Sequence, residues 1–203
     1  LIIVLIYVIY YFIVKIPIKL DFNRTDHSSD VHNSGWTTYS KKKWEKECKE
    51  IINLKPSLNI KNNDKIYEIG CGTCAFLDIL KDMNSSVSFK GNDIVAPPLK
   101  VCKNKYPDGK FYHSDMNDIN DEELGMFDHI IGNGVLGYFD NIEKVEKTLE
   151  KCTRLLKNGG TMRFTALDSE ISLKNILLFK LKRTSENIRF KKGFFRDFAD
   201  KNN

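Results

Sequence analysis

The sequence lacks most of what would announce a small-site chemistry. Its five cysteines (48, 71, 74, 102 and 152) are odd in number and scattered, which argues against a disulfide framework. Cys71 and Cys74 form one CxxC, but no second CxxC or CxxH follows. A metal or redox centre is therefore not expected, and reduced thiols are. There is no internal repeat. Net charge is only +5 over 203 residues, too mild to argue for nucleic acid by itself. Charged and apolar fractions of 29% and 41% are those of a globular chain, not a disordered one. The chain begins with Leu rather than Met, which reads as a fragment or a processed product.

What is present first is an apolar run from Leu1 to Val14, followed by Lys15-Ile16-Pro17-Ile18-Lys19-Leu20. It has no polar face, as a surface helix would need, and no small-x-small cleavage site follows it. Residues 1–20 thus read as a hydrophobic membrane-anchor segment, slightly short of the ~17–25 residues that span a bilayer. Lys15, Lys19, Arg24 and Lys41-Lys42-Lys43 all follow the run. By the positive-inside tendency they place the rest of the chain in the cytosol. Residues 21–40 are polar and read as a linker or lid that includes Trp36 and Tyr39, and 41–203 as the domain.

Within the domain, helical and strand patterns alternate. An amphipathic helix over 40–54 carries Trp44, Cys48, Ile51 and Ile52 at helical spacing. Strands are expected at 65–69, 87–93, 110–113, 127–131 and 161–166, and helices from Cys74, over 99–106 and over 141–156. Asp140 or Asn141 caps the last of these, and Lys157-Asn158-Gly159-Gly160 stops it. Alternation of this kind predicts an α/β fold, a doubly wound, mostly parallel sheet with helices on both faces.

Ligands of such sheets bind beyond the carboxyl ends of the strands. Glu68-Ile69-Gly70-Cys71-Gly72-Thr73 closes the first strand and opens a helix. Its glycines permit a tight turn and a close backbone approach. The second strand ends at Asp93, suited to two ribose hydroxyls, the third at His113-Ser114-Asp115-Met116, and the fourth at Gly132-Asn133-Gly134. The site is of nucleotide type, and the glycine pattern alone also fits a dinucleotide. One strand-end acid is more often a helix cap or a solvated turn. Acids at three successive ends are not.

From Lys65 to Phe164 these motifs resemble the class I S-adenosylmethionine-dependent methyltransferases. Tyr67 to Thr73 resembles their first motif, with an acid two places before the first glycine. NAD-binding domains carry an apolar residue there, so Glu68 separates the two readings. Gly91-Asn92-Asp93 resembles the motif whose acid holds the ribose, and His113 to Met116 the segment at the adenine. The resemblance implies S-adenosylmethionine as cofactor and transfer of its methyl group to an acceptor that is a small molecule, lipid or protein. It implies a cofactor-binding set of Glu68, Gly70, Cys71, Gly72, Asp93, Asp115, Met116 and Asn133, with no metal. No residue is assigned as catalytic: Gly134-Val135 after Asn133 departs from the Pro-Pro-aromatic signature of methyltransferases that act on amine-bearing bases. A second departure is Cys74, where the family keeps the last glycine of its turn. A third is the end of the chain. The family's final antiparallel strand pair has no counterpart after Ala166, and Phe194, Phe195 and Phe198 read as the apolar face of the helix before it.

Two other readings stand beside this one. An inactive membrane-tethered scaffold would keep the fold, and an NAD-linked oxidoreductase would need a Tyr-Lys or His arrangement that is not found. The basic tail from Lys174 to Arg196 could meet phosphate on lipid headgroups or RNA, but it reads rather as a solvated face without the interleaved aromatics of a base-stacking surface, so nucleic acid is not the favoured partner.

Overall fold

Five short segments rich in β-branched and aromatic residues line up side by side and share one direction. The computed structural model describes residues 41–53, 58–83, 86–165 and 193–202. The strands are β1 (Lys65–Ile69), β2 (Ser88–Asp93), β3 (Lys110–His113), β4 (Phe127–Gly132) and β5 (Leu156–Phe164), in the order β3-β2-β1-β4-β5. Every pairing is parallel. The helices are α1 (Lys41–Asn53), α2 (Ala75–Met83), α3 (Ala96–Lys105), the single turn α4 (Asp121–Leu124), α5 (Ile142–Leu155) and α6 (Phe194–Asn202).

Residues of β1 alternate between two cores, as a pleated strand requires. Ile66 joins Cys48, Ile52, Phe76, Leu77, Leu80, Leu99 and Cys102 on the α1–α2–α3 face. Tyr67 and Ile69 join Phe127, Leu155, Cys152 and Met116 on the other. A third cluster packs Leu136, Val145 and Leu149 against Phe198 of α6. The sheet is thus covered on both faces, and the doubly wound expectation holds. Leu77 is fully buried; cutting such a side chain back to alanine costs about 2–5 kcal/mol.

Local chemistry sets the element ends. Asn141 caps α5, its Oδ1 accepting from the Lys144 amide at 2.8 Å. Two boundaries differ from the sequence reading. Helix α3 starts at Ala96, three residues before the expected Leu99, with Pro97 and Pro98 inside its first turn. The amides there have no helical acceptor, so proline loses nothing. Strand β5 starts at Leu156, directly after α5, and runs through Asn158-Gly159-Gly160. Those glycines are not a helix stop. The pairing of β4 with β5 shifts register there, Gly159 takes φ +77°, and a Cβ on Gly160 would stand 3.0 Å from the Asp128 carbonyl oxygen. They make a bulge and a close strand approach.

The expected anchor over 1–20, the linker with Trp36 and Tyr39, and residues 166–192 lie outside the described residues, while Phe194, Phe195 and Phe198 fall on α6, the helix expected there. Among the described residues no helix is long and apolar enough to cross a membrane, and five parallel strands make up the sheet.

Candidate functional site at the carboxyl edge of the sheet

The turn from β1 to α2 is built from left-handed residues: Gly70 at φ +67°, Gly72 at +52° and Cys74 at +62°. A Cβ on Gly70 would meet Val135 Cγ2 at 2.7 Å, so this glycine is required by space as well as by φ. The Cys71 amide donates to the Asn92 carbonyl at 3.0 Å. The Gly72 amide donates to Asp93 Oδ2 at 2.9 Å. Asp93 Oδ1 accepts the Val95 amide, also at 2.9 Å. One carboxylate thereby fixes both the glycine turn and the entry to α3. Burial pushes the Asp93 carboxyl above its usual range, against the pull of those two amides.

Glu68 points to the α2–α3 side and is 3% exposed, with Oε2 unpartnered. Burial, then the charges of Asp78 and Asp93, drive its pKa well above the usual carboxylate range. Among the described residues no cation stands beside this buried acid, a cost that the described part of the fold does not explain.

Helix α3 clamps the turn from behind. Lys105 Nζ donates to the Thr73 carbonyl at 3.1 Å and pairs with Asp78 at 2.6 Å. The Tyr106 hydroxyl donates to Asp78 at 2.5 Å. Cys102 Sγ lies 3.2 Å from the Gly72 carbonyl oxygen and is bonded to Cys74. The expectation of five reduced thiols is therefore corrected: Cys74 and Cys102 form a disulfide, while Cys48, Cys71 and Cys152 remain buried thiols outside any disulfide. No pairing was expected from the spacing; packing of α3 brings Cys102 against Cys74, 28 residues away. A cross-link of that span stabilises by about 3–4 kcal/mol in the chain-entropy account. Left-handed φ at a non-glycine residue such as Cys74 costs about 1–2 kcal/mol.

At the third strand end, Asp115 Oδ1 accepts from the Asn117 amide at 2.9 Å and from its Nδ2 at 3.2 Å. Oδ2 pairs with Lys144 at 2.9 Å. Burial pushes the Asp115 pKa up, but the Asn117 and Lys144 contacts outweigh it and hold the carboxyl below its usual range. Three contacts use most of the roughly four lone-pair sites of a carboxylate, so Asp115 shapes the segment first and has little left for a ligand. Met116 beside it is buried. At the fourth end, Asn133 Oδ1 accepts from the Thr165 hydroxyl at 2.8 Å, and that same hydroxyl accepts the Gly134 amide at 2.6 Å.

Four buried side-chain polar atoms have no partner among the described residues: Glu68 Oε2, Thr73 Oγ1, Asn117 Oδ1 and Asn133 Nδ2. All four lie at or just past the carboxyl ends of β1, β3 or β4. Native folds leave few such atoms, and each needs a reason. A ligand that brings donors and an acceptor to this edge supplies one.

Glu68, Gly70, Cys71, Gly72, Asp93, Asp115, Met116 and Asn133 thus all sit along one edge. His113 turns to the Ile94 carbonyl, 3.1 Å away, and Tyr138 is 43% exposed; neither joins the set. Sequence reasoning gave no role to Asn92, which is buried, accepts from the Tyr67 hydroxyl at 3.0 Å and donates to the Ser114 carbonyl at 3.0 Å. It missed Thr165, Lys144 and Cys102 as well. Their partners are 22 to 32 residues distant at the contacts named, and no local pattern signals them.

Residues 67–162 match the family model of a methyltransferase domain. A carboxy-S-adenosyl-L-methionine synthase of Campylobacter fetus subsp. fetus is 25% identical over 73% of this chain and 62% of its own length. Among solved structures, Streptomyces venezuelae DesVI superposes with a TM-score of 0.57 at 18% identity, covering 73% of this chain and 61% of that one. Magnesium protoporphyrin IX methyltransferase of Synechocystis, solved with bound SAH, gives 0.61 at 13% identity over 78% and 72%. The chain spans about three-fifths of the length of the first two relatives.

Proposed function

We propose that the chain is a class I S-adenosylmethionine-dependent methyltransferase, as its match to a methyltransferase domain over residues 67–162 supports, and that it binds S-adenosylmethionine along the carboxyl edge of its sheet and methylates an acceptor. The observation that carries this reading is the set of unpartnered buried polar atoms gathered at that one edge. The cofactor would supply an electrophilic methyl group on a sulfonium centre, and the protein's part is to bind, orient and exclude water.

The residues present fit that ligand. Asp93 spends one lone pair of each oxygen on an amide and keeps the others for a pair of ribose hydroxyls. Glu68 offers a buried acceptor to an ammonium group behind the turn, which would lower its raised pKa. Met116 packs in the core beneath that edge, and Asn133 keeps an unpartnered amide donor there. The turn from Gly70 to Thr73 presents backbone where a side chain would obstruct. No described residue stands out as a required general base, so the acceptor's own nucleophile is positioned rather than activated in this reading.

Titration calorimetry of the full chain with S-adenosylmethionine, with NADH as control, tests the proposal. Saturable heat with the former alone is expected, together with a rise in melting temperature. Absence of both, or binding that survives the combined E68A and D93A changes, would overturn it. Formation of S-adenosylhomocysteine with candidate acceptors then separates an active enzyme from a scaffold that only keeps the site.

A further inference from the structure

Three sulfur atoms converge directly behind the turn. Sγ of Cys71, Cys74 and Cys102 lie within 4.8 Å of one another, and all three residues are buried. Cofactor binding gives a reason for the glycines of this turn but none for this cluster. Two facts connect it to the site. Cys74 holds φ +62°, a conformation that glycine adopts freely and cysteine does not. Its bond to Cys102 pins the turn to α3, the helix whose entry Asp93 fixes.

We propose that the Cys74–Cys102 disulfide is a redox-sensitive site that sets cofactor affinity, high when the bond is formed and low when it is reduced. The inference rests on the reading of this turn as the S-adenosylmethionine site. In the step itself the sulfur–sulfur bond accepts two electrons from two thiols of a reductant such as glutathione or a dithiol. The reductant becomes a disulfide, and its two protons end on Cys74 and Cys102. After reduction nothing covalent holds Cys74 in the left-handed region. The Cys102 thiol then faces the Gly72 carbonyl, 3.2 Å away, with only a weak S–H donor in place of the bond. The Gly72 amide, and through it the grip on Asp93, relaxes with the turn. Cys71 is a poor internal attacker, because burial and then the charges of Glu68 and Asp93 keep its thiol protonated. The disulfide therefore stays where it is until an external thiol reaches it.

The test titrates the full chain with S-adenosylmethionine before and after incubation with dithiothreitol. Alkylation and mass spectrometry count the thiols in each sample. The count should rise from the three thiols outside the disulfide to all five, with affinity falling at least about tenfold and the ligand-free melting temperature falling too. C102S should bind weakly in both conditions. C74G, which lacks the sulfur but adopts the left-handed turn freely, should bind well in both. Unchanged affinity across the rise from three thiols to five would overturn the proposal, as would full affinity in C102S or five alkylated thiols in chain that binds well without reductant. If neither form binds S-adenosylmethionine while the thiol count and melting temperature still shift, the cofactor reading is what fails, and the coupling with it.

Discussion

The two edges of the sheet treat charge in opposite ways. At the amino edge Asp64 and Asp128 both have partners. Asp64 Oδ2 accepts the Lys61 amide at 2.6 Å and pairs with His129 at 3.0 Å, and the other ring nitrogen of His129 meets Thr161 Oγ1 at 2.7 Å. Asp128 Oδ2 takes the Lys65 amide at 2.8 Å and Lys157 Nζ at 2.7 Å. At the carboxyl edge Glu68 is buried with one oxygen unpartnered, and Thr73, Asn117 and Asn133 each keep an orphan atom. Both edges belong to the same strands, so the difference is not one of fold. Among the described residues the acids of one edge are partnered, and the other edge keeps unpartnered buried atoms.

The strongest way to break that contrast is to empty its centre. D93A removes the acceptor of two backbone amides, Gly72 and Val95. It is expected to weaken S-adenosylmethionine binding about 100-fold or more, near 3 kcal/mol, which calorimetry would register. A stable D93A that binds normally would dissolve the distinction between the edges.

E68Q sharpens it instead. Removing an unpaired buried acid should raise ligand-free stability by about 1–3 kcal/mol, while binding falls about tenfold. The pH dependence gives the sign a second check. The folded-state pKa of Glu68 lies well above the ordinary 4.5, so its contribution is fully present below that value and is lost as pH climbs. Urea unfolding of the ligand-free chain should show stability falling from pH 5 to pH 8, and E68Q should flatten that slope.

At the other edge the sign reverses. Burial nudges the Asp128 pKa up, but Lys157 and the Lys65 amide outweigh it and hold the carboxyl low. Its contribution is present above the ordinary carboxylate pKa and disappears on acidification below it. D128N should cost about 1 kcal/mol of stability and leave S-adenosylmethionine affinity where it was. Any loss of affinity would show that the edges are coupled. The smallest effect is expected for T165V, which removes the hydroxyl linking Asn133 to the Gly134 amide: a two- to threefold weakening of binding, about 0.5 kcal/mol, measurable in the same titration.

How much of this could be read from the residue order follows from the range of the forces involved. The β3 strand was found at its observed bounds, and α5 to within a residue at each end, because period and cap are local. Glu68, Gly70, Gly72 and Asp93 were legible because a turn with left-handed backbone and a strand-end acid leave fixed spacings. The start of α3 was misplaced because Pro97 and Pro98 look like breakers until the helix's empty first turn is considered. Gly159-Gly160 looked like a stop because the bulge they form depends on β4 beside them. Asp115 read as a free acceptor because Lys144, which occupies it, lies on α5. The Cys74–Cys102 pairing was invisible for the same reason: it depends on how α3 packs, not on sequence distance.

That disulfide also changes the topology of the chain. It closes a covalent ring from residue 74 to residue 102, and the ring contains α2, β2 and the first part of α3, hence Asp93. A protease that cuts anywhere between 75 and 101 would open the ring without dividing the protein, and the two stretches would still migrate as one band until a reductant was added. Asp93 thus sits inside a loop of covalent bonds that opens at Cys74, directly after the glycine turn, and survives one break.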